Sequence, residues 1–252
     1  MSKIAIITGA SSGLGVEFYR HLQGEGLDEI WLIARRLDRL EAVKAELGTV
    51  PTRCISMDIT AEESILRLRE MLENEKPEVS FLINNAGYGV LGRVDESEPM
   101  SQGGMIDLND KALVSMTICA LPYMPRHSYI INTCSIASFV PNARMSVYSA
   151  TKSFVMSFSR SLRYELKNRK INVTAVCPGP MSTEFLAVAG ISDGASKAFD
   201  RLPRCSPSKT AKGGIRACKK GRAVYTPHIF YKFYRVLSKL LPKSWLIPLA
   251  KT

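Results

Sequence analysis

The sequence predicts an α/β protein: a doubly wound parallel sheet of about seven strands, helices on both faces, and a helical extension at the C-terminus. Three observations carry this expectation. Six short apolar runs alternate with amphipathic stretches, which is the rhythm of a parallel sheet with crossover helices. The first run leads through a glycine-rich turn into the first helical stretch. Lastly, Ser135 follows the fifth run, and Tyr148 and Lys152 stand four residues apart just beyond it. Open α/β sheets hold their ligands at the C-terminal ends of the strands, where these groups would collect.

Residues 3–8 read as a buried first strand. Thr8-Gly9-Ala10-Ser11-Ser12-Gly13-Leu14-Gly15 follows, then a helix carrying Val16, Phe18, Tyr19 and Leu22. Glycines let backbone approach a phosphate closely, and a helix N-terminus offers free N–H groups and the positive end of its dipole. The spacing is a relative of the dinucleotide fingerprint. The second strand, 29–34, ends at Ala34 before Arg35 and Arg36. A carboxylate at that point would suit a ribose 2′-hydroxyl; a guanidinium suits a 2′-phosphate. NADP(H) is therefore expected over NAD(H), with Arg35 the first choice and Arg36 the second, unless both arginines only open the next helix, 37–47.

The third strand, 52–57, ends in Asp58, which can accept from an adenine amino group or cap the helix starting near Ala61. The fourth strand, 79–83, runs into Asn84-Asn85-Ala86-Gly87. These residues can hold a loop and line a ribose, or form an ordinary Asn/Gly turn. Residues 99–121 read as one long helix, with Asn109 as a disfavoured interior residue that marks a kink. The fifth strand is 129–133, the next helix 146–168 with Ser146 as its cap, and the sixth strand 171–177, broken by Pro178-Gly179-Pro180.

With 252 residues, 46% of them hydrophobic, the chain supports one substantial core. Its apolar runs stop well short of the ~18 residues a membrane-spanning helix needs. No signal-peptide pattern opens the sequence, so a cytoplasmic protein is expected. The six cysteines include no Cys-x-x-Cys and no histidine at ligand spacing, which predicts reduced, packed thiols without a disulfide framework or metal site. Charge is unevenly placed. Residues 200–252 hold 13 Lys+Arg and one acid, whereas residues 1–199 come to a net −1. Such asymmetry points to an anionic partner for the last fifth of the chain, or to a solvated cationic face.

Tyr148 and Lys152 share a helix face. A cation beside a phenol lowers its pKa and lets it exchange a proton during turnover. With Ser135 nearby, the set suits carbonyl/alcohol chemistry.

Taken in order, these motifs resemble the short-chain dehydrogenase/reductase family across about residues 3–185. The resemblance implies a Rossmann-type catalytic domain, here 1–226, with Tyr148 as general acid/base. It implies that Lys152 lowers the Tyr148 pKa and binds the nicotinamide ribose, that Ser135 bonds the substrate oxygen, and that Asn109 holds a relay water. Gly9, Ser11, Ser12, Gly13, Leu14 and Gly15 would face the cofactor phosphates and adenosine side, Asp58 the adenine, and Asn85, Ala86 and Gly87 the ribose. Pro178, Gly179 and Thr183 would lie near the nicotinamide. The Ala34-Arg35 pair resembles NADP-preferring members, among them hydroxysteroid dehydrogenases and 3-ketoacyl reductases. A homodimer through 99–121 and 146–168 is the favoured assembly. The alternative is a catalytically silent NADP-binding sensor or scaffold.

The loop at about 181–207 would cover the substrate. Its Phe185, Leu186, Val188, Ile191, Phe199 and Leu202, with Tyr88, Val90, Leu91, Phe139, Val140 and Met145, suggest an apolar pocket for a hydrophobic ketone or alcohol. In the extension, 227–252, Ile229, Phe230, Phe233, Val236, Leu237, Leu240 and Leu241 recur at helical spacing among Lys232, Arg235, Lys239 and Lys243. That helix could pack on the body, lid the pocket, meet a second subunit, or lie on an anionic membrane surface. Nucleic-acid binding is not expected, because aromatics on an apolar helix face are taken up by packing.

Overall fold

Among the described residues, 1–190 and 202–248, the computed structural model has one sheet of seven parallel strands in the order β3-β2-β1-β4-β5-β6-β7. The strands are β1 (Lys3–Thr8), β2 (Glu29–Ala34), β3 (Thr52–Ser56), β4 (Glu78–Asn84), β5 (Tyr129–Thr133), β6 (Asn172–Val176) and β7 (Val224–Tyr225). Six match the apolar runs within a residue or two. The seventh has only two residues, paired as Ala175 with Val224 and Val176 with Tyr225, too short to stand out as a run.

Alternate strand residues feed two cores, as the pleat requires. Ile4, Ile6, Trp31, Ile33, Ile130 and Val173 pack under α3 (Glu62–Glu75), α5 (Leu113–Ala120) and α6 (Ser146–Glu165) through Leu68, Leu72, Met116, Ala120 and Leu162. Ala5, Ile7, Ile30, Leu32, Ile131 and Val176 pack on the other face. There α1 (Gly13–Leu22), α2 (Leu37–Leu47) and α8 (Pro207–Lys219) supply Phe18, Leu22, Leu40, Ala211, Ile215 and Cys218. The chain winds outward from β1 in one direction and from β4 in the other, so a crevice opens at the C-terminal ends of these neighbours.

The stretch 99–121 is not one α-helix. It divides into α4 (Pro99–Ile106), a π-helical turn (Asp107–Ala112) and α5. Asn109 lies in the π-turn, where its amide is used away from the helix, so the irregularity expected there is real. Ser146 does not cap α6. Met145 is the N-cap residue, and no side chain caps there. The nearby Ser149 hydroxyl instead donates to Met145 O and accepts from Asn142 N, organising the entry to the helix.

The tail folds back as α9 (Ile229–Leu240) and α10 (Lys243–Leu246), after the short α7 (Glu184–Val188) that follows β6. Tyr231 is fully buried. Its hydroxyl donates to Pro203 O at 2.7 Å, and its ring lies where a Cβ on Gly179 would be, 2.2 Å away. Tyr234, Leu237 and Leu241 also pack inward. Phe230 and Phe233, in contrast, are 46% and 67% exposed. The expectation that packing takes up the aromatics on the apolar helix face fails for these two, because the body covers only one side of α9.

Candidate active site

The glycine loop turns at Gly9 and Gly13, both with positive φ, a region that favours glycine. A Cβ at Gly9 would meet Ala86 Cα at 2.8 Å, so two strand-end loops touch through bare backbone. Asn85 fastens them: its Nδ2 donates to Thr8 O and Gly9 O, both at 3.2 Å, and its backbone N–H donates to Thr8 Oγ1. Asn84 lies below, buried, donating to Thr117 Oγ1 and Asn132 Oδ1. Asn85 thus holds the loop, as its sequence position allowed, whereas Asn84 ties β4 to α5 and β5.

A cavity of about 930 Å³ runs along the sheet edge. At one end its wall contains Gly9, Ser11, Ser12, Gly13, Leu14, Arg35, Arg36 and Asp58. Asn85, Ala86, Gly87, Pro178, Gly179 and Thr183 lie along it, and Ser135, Tyr148 and Lys152 stand at the other end. Two predicted residues do not line it. Gly15 lies behind the loop, where a Cβ would meet Gly9 O at 2.1 Å, so its smallness serves loop–helix packing. Asn109 is buried one layer back. Its Oδ1 accepts from Tyr88 N, and its Nδ2 donates to Tyr88 O and Thr151 Oγ1. It clamps the Gly87–Tyr88 strand end to α6.

Tyr148 and Lys152 are both buried on α6. Burial raises the Tyr148 pKa well above the ordinary phenol range, and the Ser135 hydroxyl's hydrogen bond pulls the other way. The lowering expected from Lys152 is not what this geometry gives. The ammonium donates to Thr133 O at 3.1 Å and lies 5.7 Å from the Tyr148 ring centre. Lys152 is itself pushed below its usual value by burial, with Cys134 and Asp110 opposing. The Asp110 carboxyl, in the π-turn, is pushed up to about 7 by burial, with Lys152 opposing. Its Oδ1 is buried without a hydrogen-bond partner.

The arginines split. Arg36 donates to Glu184 Oε2 at 2.9 Å and, more weakly, to Ser11 Oγ at 3.4 Å. Arg39 also donates to Glu184. These bonds hold the Glu184 carboxyl below its ordinary range. Arg35 lies beside Asp58. Burial raises the Asp58 pKa, but donation from Thr60 and then the Arg35 charge bring it below normal. Asp58 caps no helix: it accepts from Thr60 N and Oγ1, and the N-cap residue of α3 is Ala61. Its carboxylate stays at the cavity wall.

At the Tyr148 end, Tyr88, Val140, Met145, Phe185, Leu186, Val188 and Leu202 line the cavity, whereas Phe139 packs into the core with Val155 and Cys177. Val90 and Leu91 pack beside Tyr148 without lining the cavity, and Ile191 and Phe199 lie outside the described residues. Sequence reasoning missed Glu184 and Arg39, and left the tail's part open among several options; here Phe230, Tyr231, Tyr234, Leu237 and Leu246 contribute to the cavity wall. An acid beside Thr183, opposite two arginines, was the available signal for the first.

The short chain dehydrogenase family pattern matches residues 3–191. Serine 3-dehydrogenase of Rhizobium radiobacter is 34% identical over 204 residues, covering 80% of both chains. A probable NADP-dependent dehydrogenase of Haemophilus influenzae is 34% identical over 215 residues, 82% of this chain and 84% of that one. A short-chain dehydrogenase from Sphingobium yanoikuyae in complex with NADPH superposes with a TM-score of 0.81 at 26% identity, covering 94% of this chain and 93% of that one. With its glycine loop, its Tyr148/Lys152 helix and the family match over most of its length, this chain belongs to the short-chain dehydrogenase family.

Proposed function

We propose that the protein is an NADP(H)-dependent oxidoreductase interconverting a hydrophobic ketone and its secondary alcohol. The observation that carries this reading is that one cavity joins the glycine loop and Arg36 to Ser135, Tyr148 and Lys152. The residues fit a dinucleotide phosphate. Gly9 and Gly13 keep the loop backbone bare, and the Arg36 and Arg39 guanidiniums already meet on one carboxylate, with the Ser11 hydroxyl accepting from Arg36. The NADP-linked relative and the NADPH-bound structure support the same cofactor.

A nicotinamide held in this cavity would supply the hydride. Tyr148, kept protonated by burial, donates its proton to the oxygen of the reduced carbonyl, or takes it back in the oxidative direction. Ser135 holds that oxygen beside the phenol. Lys152, whose ammonium is anchored by Thr133 O, would hold the nicotinamide ribose. Asn109 positions rather than reacts: it fixes the backbone of Tyr88 against α6. Phe185, Met145 and Leu186 keep water from the reacting end and favour an apolar substrate, steroid-like or a 3-ketoacyl thioester. A homodimer through α4, α5 and α6 is consistent with the exposed Ile118, Phe154 and Tyr164 on these helices.

The test follows NADPH oxidation with steroid ketones, 3-ketoacyl thioesters and aromatic ketones, with Tyr148→Phe as control. Turnover with one class, lost in the variant, is expected. Tight NADPH binding without turnover on any of them would replace this reading with the sensor or scaffold.

A further inference from the structure

Helix α9 has two apolar faces, and the body uses one. Tyr231, Tyr234, Leu237 and Leu241 turn inward. On the opposite side Ile229, Phe233, Val236 and Leu240 recur at i, i+4, i+7 and i+11. They are 74%, 67%, 54% and 75% exposed. At about 100° per residue they fall within an arc of about 60°. Lys232, Arg235 and Lys239 run along one edge of this stripe. Phe230, on the other edge, both lines the cavity and reaches solvent. Trp245, at 66% exposure, adds a further ring beyond the helix end. An ordinary surface helix carries polar residues on its outer face, and contiguous exposed apolar patches mark interaction sites.

We propose that this stripe docks α9 flat on an anionic lipid surface. Charge selects that occupant. An antiparallel stripe-to-stripe contact with a second copy would bring Lys232, Arg235 and Lys239 against their own equivalents, and residues 201–252 contain no acid to pair with them in either orientation. A nucleic acid would attract the cations but leave the apolar stripe in water. A bilayer with anionic headgroups satisfies both, burying the stripe at the acyl boundary with the cations at headgroup level. Because Phe230 stands at the cavity rim, docking brings the rim to the lipid. A ketone dissolved in the membrane then reaches the cavity without crossing bulk water, a consequence that rests on the oxidoreductase reading.

The full-length protein is floated with vesicles of phosphatidylcholine alone and with vesicles containing phosphatidylserine. Flotation with the second only, released by salt, is expected. The double variants Phe233→Ser/Leu240→Ser and Lys232→Glu/Lys239→Glu each weaken binding at least about tenfold, with melting temperature and NADPH binding retained. Failure of the wild type to float with anionic vesicles overturns the proposal, as does unchanged flotation of both variants. So does a dimer that does not float and dissociates on Phe233→Ser/Leu240→Ser, which makes the stripe a subunit contact. Flotation does not depend on turnover, so a failed substrate panel leaves this result standing.

Discussion

Arg36 Nη2 donates to Glu184 Oε2 at 2.9 Å, joining the turn after β2 to the first turn of α7. Ser11 Oγ lies 3.4 Å from the same nitrogen, and Arg39 reaches the same carboxylate. A cluster of donors around one anionic group is the chemistry a 2′-phosphate requires. On the proposed reading, Glu184 would compete with the cofactor's 2′-phosphate for these donors and link their occupation to the position of α7.

Replacing Glu184 by Gln removes the competitor. The pair is partly exposed and worth no more than ~1 kcal/mol, so the Kd for NADPH is expected to fall about two- to fivefold while that for NADH stays put. Arg36→Ala should act oppositely, weakening NADPH about tenfold or more. Titration of intrinsic fluorescence with both nucleotides checks the pair. Equal effects on NADH and NADPH would remove Arg36 from phosphate recognition.

Tyr148→Phe is expected to lower kcat by about a hundredfold to ten-thousandfold and to leave the melting temperature nearly unchanged. Lys152→Ala should lose comparable activity and also stability, because Thr133 O loses its partner; the cost is ~1–3 kcal/mol. Steady-state kinetics with parallel thermal melts separates the two. Near-native turnover in either variant contradicts the assigned roles.

Asn109→Ala leaves both backbone groups of Tyr88 without their side-chain partner. A loss of about 2–3 kcal/mol in stability is expected, together with faster hydrogen exchange at Tyr88. If exchange there is unaffected, the π-turn does not depend on this amide.

The Asp110 pKa is raised to about 7 by burial, so the folded chain holds this proton more tightly than the unfolded chain. The group carries no penalty below about pH 4, a growing one as pH rises towards 7, and a constant one above that. Asp110→Asn should accordingly raise the melting temperature little at acid pH and most at about pH 8. An offset independent of pH would show that Asp110 titrates normally.

Gly179→Ala drives a Cβ into the Tyr231 ring. The melting temperature should drop, and limited trypsin should cut sooner at Lys232 and Arg235, because α9 must shift. Unaltered cleavage would mean the tail accommodates the methyl group without moving.

The strands were legible because a parallel strand covered on both faces is apolar along its length, as in Ile4–Ile7 or Ile130–Ile131. The Tyr148/Lys152 pair was legible because helical spacing alone sets its direction. Glu184 and Arg39 were not, since their pairing spans well over a hundred residues and no local pattern encodes it. Nor could periodicity tell which apolar side of α9 faces inward. Ile229/Phe233/Val236/Leu240 and Tyr231/Tyr234/Leu237/Leu241 are equally helical, and only contact with Gly179 and Pro203 distinguishes them. The Tyr148 acidity also misled, because desolvation depends on how completely the site is enclosed.

Part of the cavity wall is made from Tyr231, Tyr234, Leu237 and Leu246, which a ribosome adds after every strand of the sheet. The sheet from β3 through β6 can assemble on a nascent chain that is still growing, with the glycine loop already formed. The substrate end stays open until α9 emerges and Tyr231 settles against Gly179. The reacting groups are therefore enclosed only after the sheet has been made, and a chain truncated before α9 would keep its sheet while leaving Tyr148 open to water.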